Sequence, residues 1–154
     1  MTTANIKITR RDRDVLESLY RDPKTAWQVL RESAIYYAPF TSLDRVQDRL
    51  RALARGGFLQ RTRAACAGGE QGSPPYWYSL TKRGFAELFG KEPAPRKAFF
   101  DRQPSAHAIA LADFNIQMFL AARASRYATV EDFAPENEER YETSGGLISP
   151  DAVY

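Results

Sequence analysis

The sequence predicts an α+β fold that begins with three helices, a β-hairpin and a closing helix, and three observations support this order. First, apolar residues in LDRVQDRLRALAR recur at helical spacing and fall within about 80° of one another on a helical wheel, at Leu43, Val46, Leu50 and Leu53. Second, Gly56 and Gly57 follow at once, and glycine adopts the left-handed conformation that ends a helix. Third, the short runs FLQRTR and PYWYSLT flank a Gly-rich segment, as the strands of a hairpin do. This order is typical of a winged helix-turn-helix domain.

Two predicted helices precede that segment. Thr9 and Asp12 form an N-cap arrangement for a first helix over residues 10 to 21. Its apolar stripe consists of Val15, Leu16, Leu19 and Tyr20. Asp22-Pro23 ends this helix, because the residue before a proline avoids the helical conformation. Thr25 then caps a shorter second helix, in which Trp27 is expected to be a core residue.

The chain divides into three predicted parts. Residues 6 to 90 form the winged helix-turn-helix domain, which closes with a short helix in KRGFAELFG. Residues 91 to 105 contain three prolines and are expected to be a linker. Residues 106 to 154 begin with a long helix, apolar on most sides, and continue with short strands. This last part has two interpretations. It is either an appendage that binds a partner or forms a homodimer through residues 106 to 126, or a short α/β nuclease-like segment. Whether such a nuclease-like segment is truncated stays open.

Composition limits the classes of function. The 154 residues are 44% hydrophobic and 27% charged, which is ordinary for a soluble globular protein. The longest apolar stretch, residues 106 to 122, is interrupted by Asp113, Asn115 and Gln117, so no membrane span is expected. The N-terminus lacks the apolar core of a signal peptide, which predicts a cytoplasmic protein. The single Cys66 excludes an internal disulfide, and His107, the single histidine, has no companions for a metal site.

Charge is distributed unevenly along the chain. Residues 1 to 104 hold 19 Lys or Arg and 11 Asp or Glu, a net charge of +8. Residues 105 to 154 hold 3 basic and 8 acidic residues, a net charge of −5. The first part can therefore bind a polyanion, whereas the second cannot.

The basic part predicts double-stranded DNA as a partner. A winged helix lays its third helix in the major groove while its hairpin contacts the backbone or the minor groove, and both need positive side chains near the phosphates. On the third helix and just before it, the predicted contacts are Thr41, Ser42, Arg45, Gln47, Arg49, Arg51 and Arg55. On the hairpin and at its base, they are Arg61, Arg63, Lys82 and Arg83.

Two aspartates of the third helix favour a competing interpretation. Asp44 and Asp48 lie with Arg55 on the side opposite the apolar stripe. There they either repel phosphates, accept hydrogen bonds from cytosine amino groups, or pair with nearby arginines such as Arg51. The alternative is a winged-helix module that binds another protein and no nucleic acid. A continuous positive band across the third helix and the hairpin favours DNA, and alternating patches favour a protein partner.

Several segments resemble a known family in their order along the chain. ITRRDRDVLESLYRDPKTAWQVL, RVQDRLRALARGGFLQR and YWYSLTKRGFAEL are similar to the winged-helix region of the bacterial replication-relaxation family. HAIALADFNIQMFLA resembles that family's helix with a His and an Asn or Asp, and SPDAVY resembles its "PDA" strand. The resemblance implies DNA binding in plasmid or mobile-element replication, in DNA relaxation or in their regulation, including transcription regulation. It implies no particular chemistry.

An enzyme is a further possibility that the sequence does not favour. Glu131, Asp132 or Glu136, followed by Pro150-Asp151, resembles the opening of a restriction-endonuclease-type site, in which carboxylates hold a divalent metal. Such a site also needs a lysine on the following strand, and the last lysine here is Lys97. We therefore expect no catalysis, with an N-terminal fragment of a metal-dependent endonuclease-like protein as the open alternative. No cofactor fingerprint, metal-ligand set or small-molecule site is evident.

Overall fold

A computed structural model describes residues 6–36, 38–67, 73–125, 141–143 and 146–148. The first elements are helix α1 (Arg10–Arg21), strand β1 (Lys24–Thr25), helix α2 (Ala26–Tyr36) and helix α3 (Leu43–Arg55). They are followed by strands β2 (Leu59–Arg63) and β3 (Tyr76–Leu80) and helices α4 (Lys82–Phe89), α5 (Lys97–Phe100) and α6 (Ala106–Ala124). Strands β4 (Tyr141–Thr143) and β5 (Gly146–Ile148) form a separate antiparallel pair. The mixture of helices with small antiparallel sheets confirms the predicted α+β class.

The hairpin β2–β3 is part of a three-stranded antiparallel sheet in the order β1-β3-β2. Strand β1 has only two residues and was not predicted, because so short a strand leaves no alternation in the sequence. Three helices, then a hairpin whose second strand also pairs with a short strand before α2, make a winged helix. The predicted nuclease-like segment falls mostly outside the described residues.

Helix α3 is built as its sequence pattern indicates. Ser42 is its N-cap, and the hydroxyl of Ser42 accepts a hydrogen bond from the Arg45 amide. The predicted stripe is buried at Val46, Leu50 and Leu53. Of the two glycines that follow, Gly57 is the one with a left-handed backbone, at φ 78°. The chain then turns so that the Phe58 amide donates to the Leu53 carbonyl, and β2 begins one residue later.

The hairpin is anchored at its base by α4. The Thr81 hydroxyl, at the N-cap of α4, donates to the carbonyl oxygens of Gly57 and Phe58, 2.7 and 3.0 Å away. Gly84, one turn into α4, approaches the same place so closely that an added Cβ would lie 2.3 Å from the Phe58 carbonyl oxygen. The end of α3, the start of β2 and the start of α4 are therefore held together by the Thr81 hydroxyl and by the close approach of Gly84.

Trp27 was predicted to be a core residue, and this prediction is wrong: its exposed fraction is 58%. Ala26, Gln28 and Val29 are the buried residues of this part of α2. Trp27 is two positions before Val29, about 200° away on the helix, so it points outward. The predicted cap is present, because the Thr25 hydroxyl accepts from the Gln28 amide at 3.4 Å.

A network of buried charges joins α1, β1 and α2. Glu32 and Lys24 are 2% and 1% exposed. The Glu32 carboxylate accepts from the Ser18 hydroxyl and from Arg21, 2.6 Å away, and lies 3.6 Å from Lys24 Nζ. Lys24 Nζ donates to the carbonyl oxygens of Ser18 and Asp22 at 2.8 and 3.0 Å. Burial alone would raise the pKa of Glu32, but Lys24, Arg21 and the Ser18 hydroxyl together hold this pKa below its ordinary value.

The chain separates into two compact units, residues 1–113 and 114–154. In the first unit, the segment predicted to be a Pro-rich linker contains α5, whose Phe100 is buried in the main hydrophobic core. The ring centroids of Phe100 and Phe85 are 6.3 Å apart. In the second unit, Phe114 of α6 is 53% exposed, so this helix presents a large apolar side chain on its surface. None of the described helices is long and apolar enough to cross a membrane.

Candidate nucleic-acid interface

The hairpin carries an exposed pair of arginines on one face. Arg61 and Arg63 of β2 pair directly with Tyr78 and Tyr76 of β3, and residues directly opposite one another in an antiparallel pair share a face. Both guanidinium groups lie over the Tyr76 ring, with distances of 4.2 and 3.9 Å from Cζ to the centroid. Arg63 also donates to the Pro74 carbonyl at 2.7 Å. The tyrosine ring thus holds two positive charges side by side on an exposed strand.

Helix α3 contributes Arg51 to the same side of the molecule. Arg51 lines one open cleft together with Arg63 and Tyr76 of the hairpin. Burial raises the pKa of the Tyr78 hydroxyl, and the charges of Arg61 and Arg51 partly oppose this effect. The Tyr78 hydroxyl therefore lies within electrostatic range of guanidinium groups on both β2 and α3.

Other predicted contacts are available at the surface. Arg45 and Arg55 are exposed on α3, and neither side chain forms an ion pair with another described residue. Thr41 and the Ser42 cap are exposed just before the helix. The Gln47 side chain is half-buried and accepts a hydrogen bond from Arg51 at 3.1 Å.

At the base of the hairpin, Lys82 and Arg83 are exposed in the first turn of α4. The Arg83 guanidinium lies 4.6 Å from the centroid of the Phe58 ring. Because Thr81 fixes the start of α4 to the turn after α3, both residues sit next to the end of α3.

Arg49 has a different partner from the one that the sequence predicted. Its Nε donates to the buried Asp12 carboxylate at 2.6 Å, and its Nη2 donates to the Lys7 carbonyl at 3.1 Å. The hydrogen bond to Asp12 is the main reason that the pKa of Arg49 is raised. Burial alone would raise the pKa of Asp12, but Arg49 and Thr9 hold it below its ordinary value. Arg49 therefore fastens α3 to α1, with its charge compensated.

A family comparison places the chain among known proteins. The family model described as replication-relaxation matches residues 25–154. The chain belongs to the replication-relaxation family. This confirms the resemblance drawn from the ordered motifs of the sequence.

Solved structures and curated proteins give less information than the family model about this replication-relaxation protein. It is similar to a structure described as Bacillus subtilis PadR in complex with operator DNA, with a TM-score of 0.42 and 15% identity. The match covers 78% of this chain and 63% of that chain, less than two thirds of its length. A search of the curated proteins finds no match.

The aspartates of α3 are both exposed in this replication-relaxation protein. Asp48 accepts from Arg51 at 3.0 Å, three residues further along the helix. This is one of the arrangements that the sequence left open, in which a carboxylate positions a neighbouring arginine. Asp44 forms no ion pair within the part of the chain that the structure describes.

The acidic residues considered for a metal-dependent site are Glu131, Asp132, Glu136 and Asp151, and all four lie outside the described residues. Within the described ranges, no three His, Cys, Asp or Glu residues are placed to hold a metal ion together.

The sequence missed one exposed residue beside the arginines, namely Trp27, which lines the same cleft as Arg51 and Arg63. The signal available in the sequence was the helical wheel of α2, on which Trp27 lies about 200° from Val29.

Proposed function

We propose that this protein binds double-stranded DNA with the surface formed by α3 and the β2–β3 hairpin. The proposed role is the replication or relaxation of plasmid or mobile-element DNA, or the regulation of these processes. The observation that carries the proposal is the pair Arg61 and Arg63, stacked on Tyr76, with Arg63 lining the same cleft as Arg51 of α3. The description of the family as replication-relaxation supports a replication-related role.

The electrostatics of the surface suit phosphate contacts. Exposed guanidinium groups next to phosphates release condensed counterions, and each neutralised phosphate contributes about −0.9 to the slope of log K against log salt concentration. Arg61 and Arg63 are already held in place by Tyr76, so binding costs them little side-chain freedom. Arg49 is left out of the proposed contacts, because its charge is compensated by Asp12.

The test is a salt titration of binding to a fluorescein-labelled 24-base-pair duplex, followed by fluorescence anisotropy. Replacing both hairpin arginines, R61A/R63A, should reduce the slope by about 2 if each contacts one phosphate. The matched control is K91A/K97A, which removes the same charge from exposed positions beyond α4. An equal change of slope in both variants would contradict the proposed surface, because only the net charge would then matter.

A protein partner is the second candidate, and the exposed Asp44 and Asp48 favour it. On α3 these carboxylates alternate with Arg45, Arg51 and Arg55, so the helix by itself is not uniformly positive. Folded wild-type protein that fails to bind the duplex even at 20 mM salt would exclude DNA and leave this candidate in place.

The proposal includes binding without a catalytic step in this chain. Incubation of the protein with supercoiled plasmid and Mg²⁺ or Mn²⁺, followed by agarose electrophoresis, tests this part separately. Nicked or linear plasmid that increases with protein concentration would contradict it and favour the endonuclease-like alternative.

A further inference from the structure

The open cleft beside the hairpin is large enough for a small ligand. Its volume is about 500 Å³, within the range of about 300–1,000 Å³ common for ligand pockets. The start of α2, one face of α3, the hairpin and residues 109 and 113 form its walls. The residues that bear on binding are Trp27, Gln28, Gln47, Arg51, Arg63, Tyr76 and Asp113.

The aromatic rings of Trp27 and Tyr76 form part of the wall of the cleft. Trp27 is 58% exposed although it is a large apolar side chain. Tyr76 is half-buried and carries two guanidinium groups against its ring. Planar bases stack on such rings regardless of their identity, since every base has a π-face.

The charged and polar groups of the cleft are complementary to a phosphate and to a base edge. A guanidinium group has five N–H donors. Among the described residues, Arg51 donates hydrogen bonds to Asp48 and Gln47, and Arg63 donates one to the Pro74 carbonyl. Both therefore retain donors for an anion.

The opposite wall offers one carboxylate, that of Asp113, to a base. Gln28 Nε2 donates to the Asp113 carboxylate at 2.9 Å and to the Ile109 carbonyl at 3.1 Å. The Gln28 side chain is buried and also accepts from the Thr25 backbone amide at 2.9 Å, so both of its donors are used and its role is to fix the Asp113 carboxylate in the cleft. Asp113 also lies 3.9 Å from Arg31, so its charge is partly compensated.

We propose that this cleft binds one unpaired nucleotide, with its phosphate at Arg51 and Arg63 and its base stacked on Trp27. The proposal rests on the proposed DNA-binding function and assigns a second kind of nucleic-acid contact to the same side of the molecule. The nucleotide comes either from single-stranded DNA or from a free mononucleotide, which share this chemistry. The base edge faces the Asp113 carboxylate.

The deciding variant is W27A, because Trp27 is exposed and its loss leaves the core intact. The probes are a labelled ten-residue oligo(dT), dTMP, thymidine and the labelled duplex. W27A should weaken oligo(dT) binding at least fivefold, the low end of the loss of one base–aromatic stack, and change duplex binding less than twofold. The matched control is F114A, which removes the other exposed large hydrophobic side chain of the described residues and should change neither.

The other probes identify the source of the nucleotide. Binding of dTMP that W27A weakens, with thymidine at least tenfold weaker than dTMP, supports a free mononucleotide at this cleft. Binding of oligo(dT) alone, again weakened by W27A, supports single-stranded DNA. The proposal is overturned if the wild-type protein binds neither oligo(dT) nor dTMP, or if W27A binds these two probes as tightly as the wild type does. Because R61A/R63A and the duplex test the proposed function, the two failures are distinguishable.

Discussion

Replacing Glu32 by glutamine tests the buried charge network that joins α1, β1 and α2. Glutamine has nearly the shape of glutamate and can still meet the Ser18 hydroxyl and Arg21, but it carries no charge. The variant therefore leaves Lys24, which is 1% exposed, without its buried counter-ion. The perturbation is electrostatic and leaves packing nearly unchanged.

The magnitude follows from the burial of both partners. Removing one partner of a buried ion pair costs about 3–5 kcal/mol of the free energy of unfolding. We expect about 3 kcal/mol for E32Q, because Lys24 Nζ keeps its hydrogen bonds to the carbonyls of Ser18 and Asp22. For a chain of this size, a loss of 3 kcal/mol lowers the melting temperature by about 6–12 °C.

The assay is urea unfolding followed by circular dichroism, with E17Q as the control for an exposed glutamate of α1. The double variant K24M/E32Q should recover much of the loss, because it removes both buried charges and keeps the aliphatic stem of Lys24. Stability of E32Q equal to that of E17Q would refute the reasoning, since the buried pair would then contribute nothing.

The pH dependence of the same variant has a defined sign. The pKa of folded Glu32 is held below its ordinary value of 4.5. Its contribution to stability is therefore fully present above about pH 4.5 and is lost as the pH falls through the folded pKa. The difference in unfolding free energy between wild type and E32Q should be constant near neutral pH and shrink in acid. A difference that grows on acidification would contradict this assignment.

Three further predictions concern the interface and the second unit. R49A should lose about 2 kcal/mol of stability or more, because the buried Asp12 loses its partner, while the salt slope of duplex binding stays as in wild type; a reduced slope in the anisotropy titration would place Arg49 at a phosphate. D44N should tighten duplex binding a few-fold at low salt by removing a charge that repels phosphates, whereas D48N should gain less, because it also removes the carboxylate that positions Arg51; weaker binding by D44N would indicate that Asp44 contacts bases. If the protein forms a homodimer through residues 106–126, F114D should halve the mass measured by light scattering, whereas a wild-type monomer at high concentration would exclude this dimer.

The sequence predicted those parts of the fold that depend on local periodicity. The stripe Val46, Leu50 and Leu53 is buried as expected, because an amphipathic helix has one stable orientation on a core. A left-handed turn at Gly56 or Gly57 was predictable from backbone chemistry, and the structure has it at Gly57. The hairpin followed from two β-forming runs on either side of a Gly-rich segment.

The features that the sequence did not predict depend on contacts between distant residues. Arg49 resembles the other arginines of α3, and only its approach to Asp12, 37 residues earlier, distinguishes it. Lys24 and Glu32 are buried as a pair, whereas charged residues taken singly are expected at the surface. Trp27 shows the opposite error, since an aromatic residue was assigned to the core without regard to its position on the helix.

The fixed base of the hairpin has a consequence for how the interface can diverge among related sequences. Thr81 and Gly84 secure that base through the main chain of Gly57 and Phe58. The position of the hairpin base next to α3 is therefore not expected to depend on the residues at the hairpin tip. Insertions and substitutions between Arg63 and Pro74 are therefore expected to leave the arginine pair at a constant distance from α3. If the proposed DNA binding is correct, related proteins with a longer or different tip recognise other sequences with the same phosphate contacts.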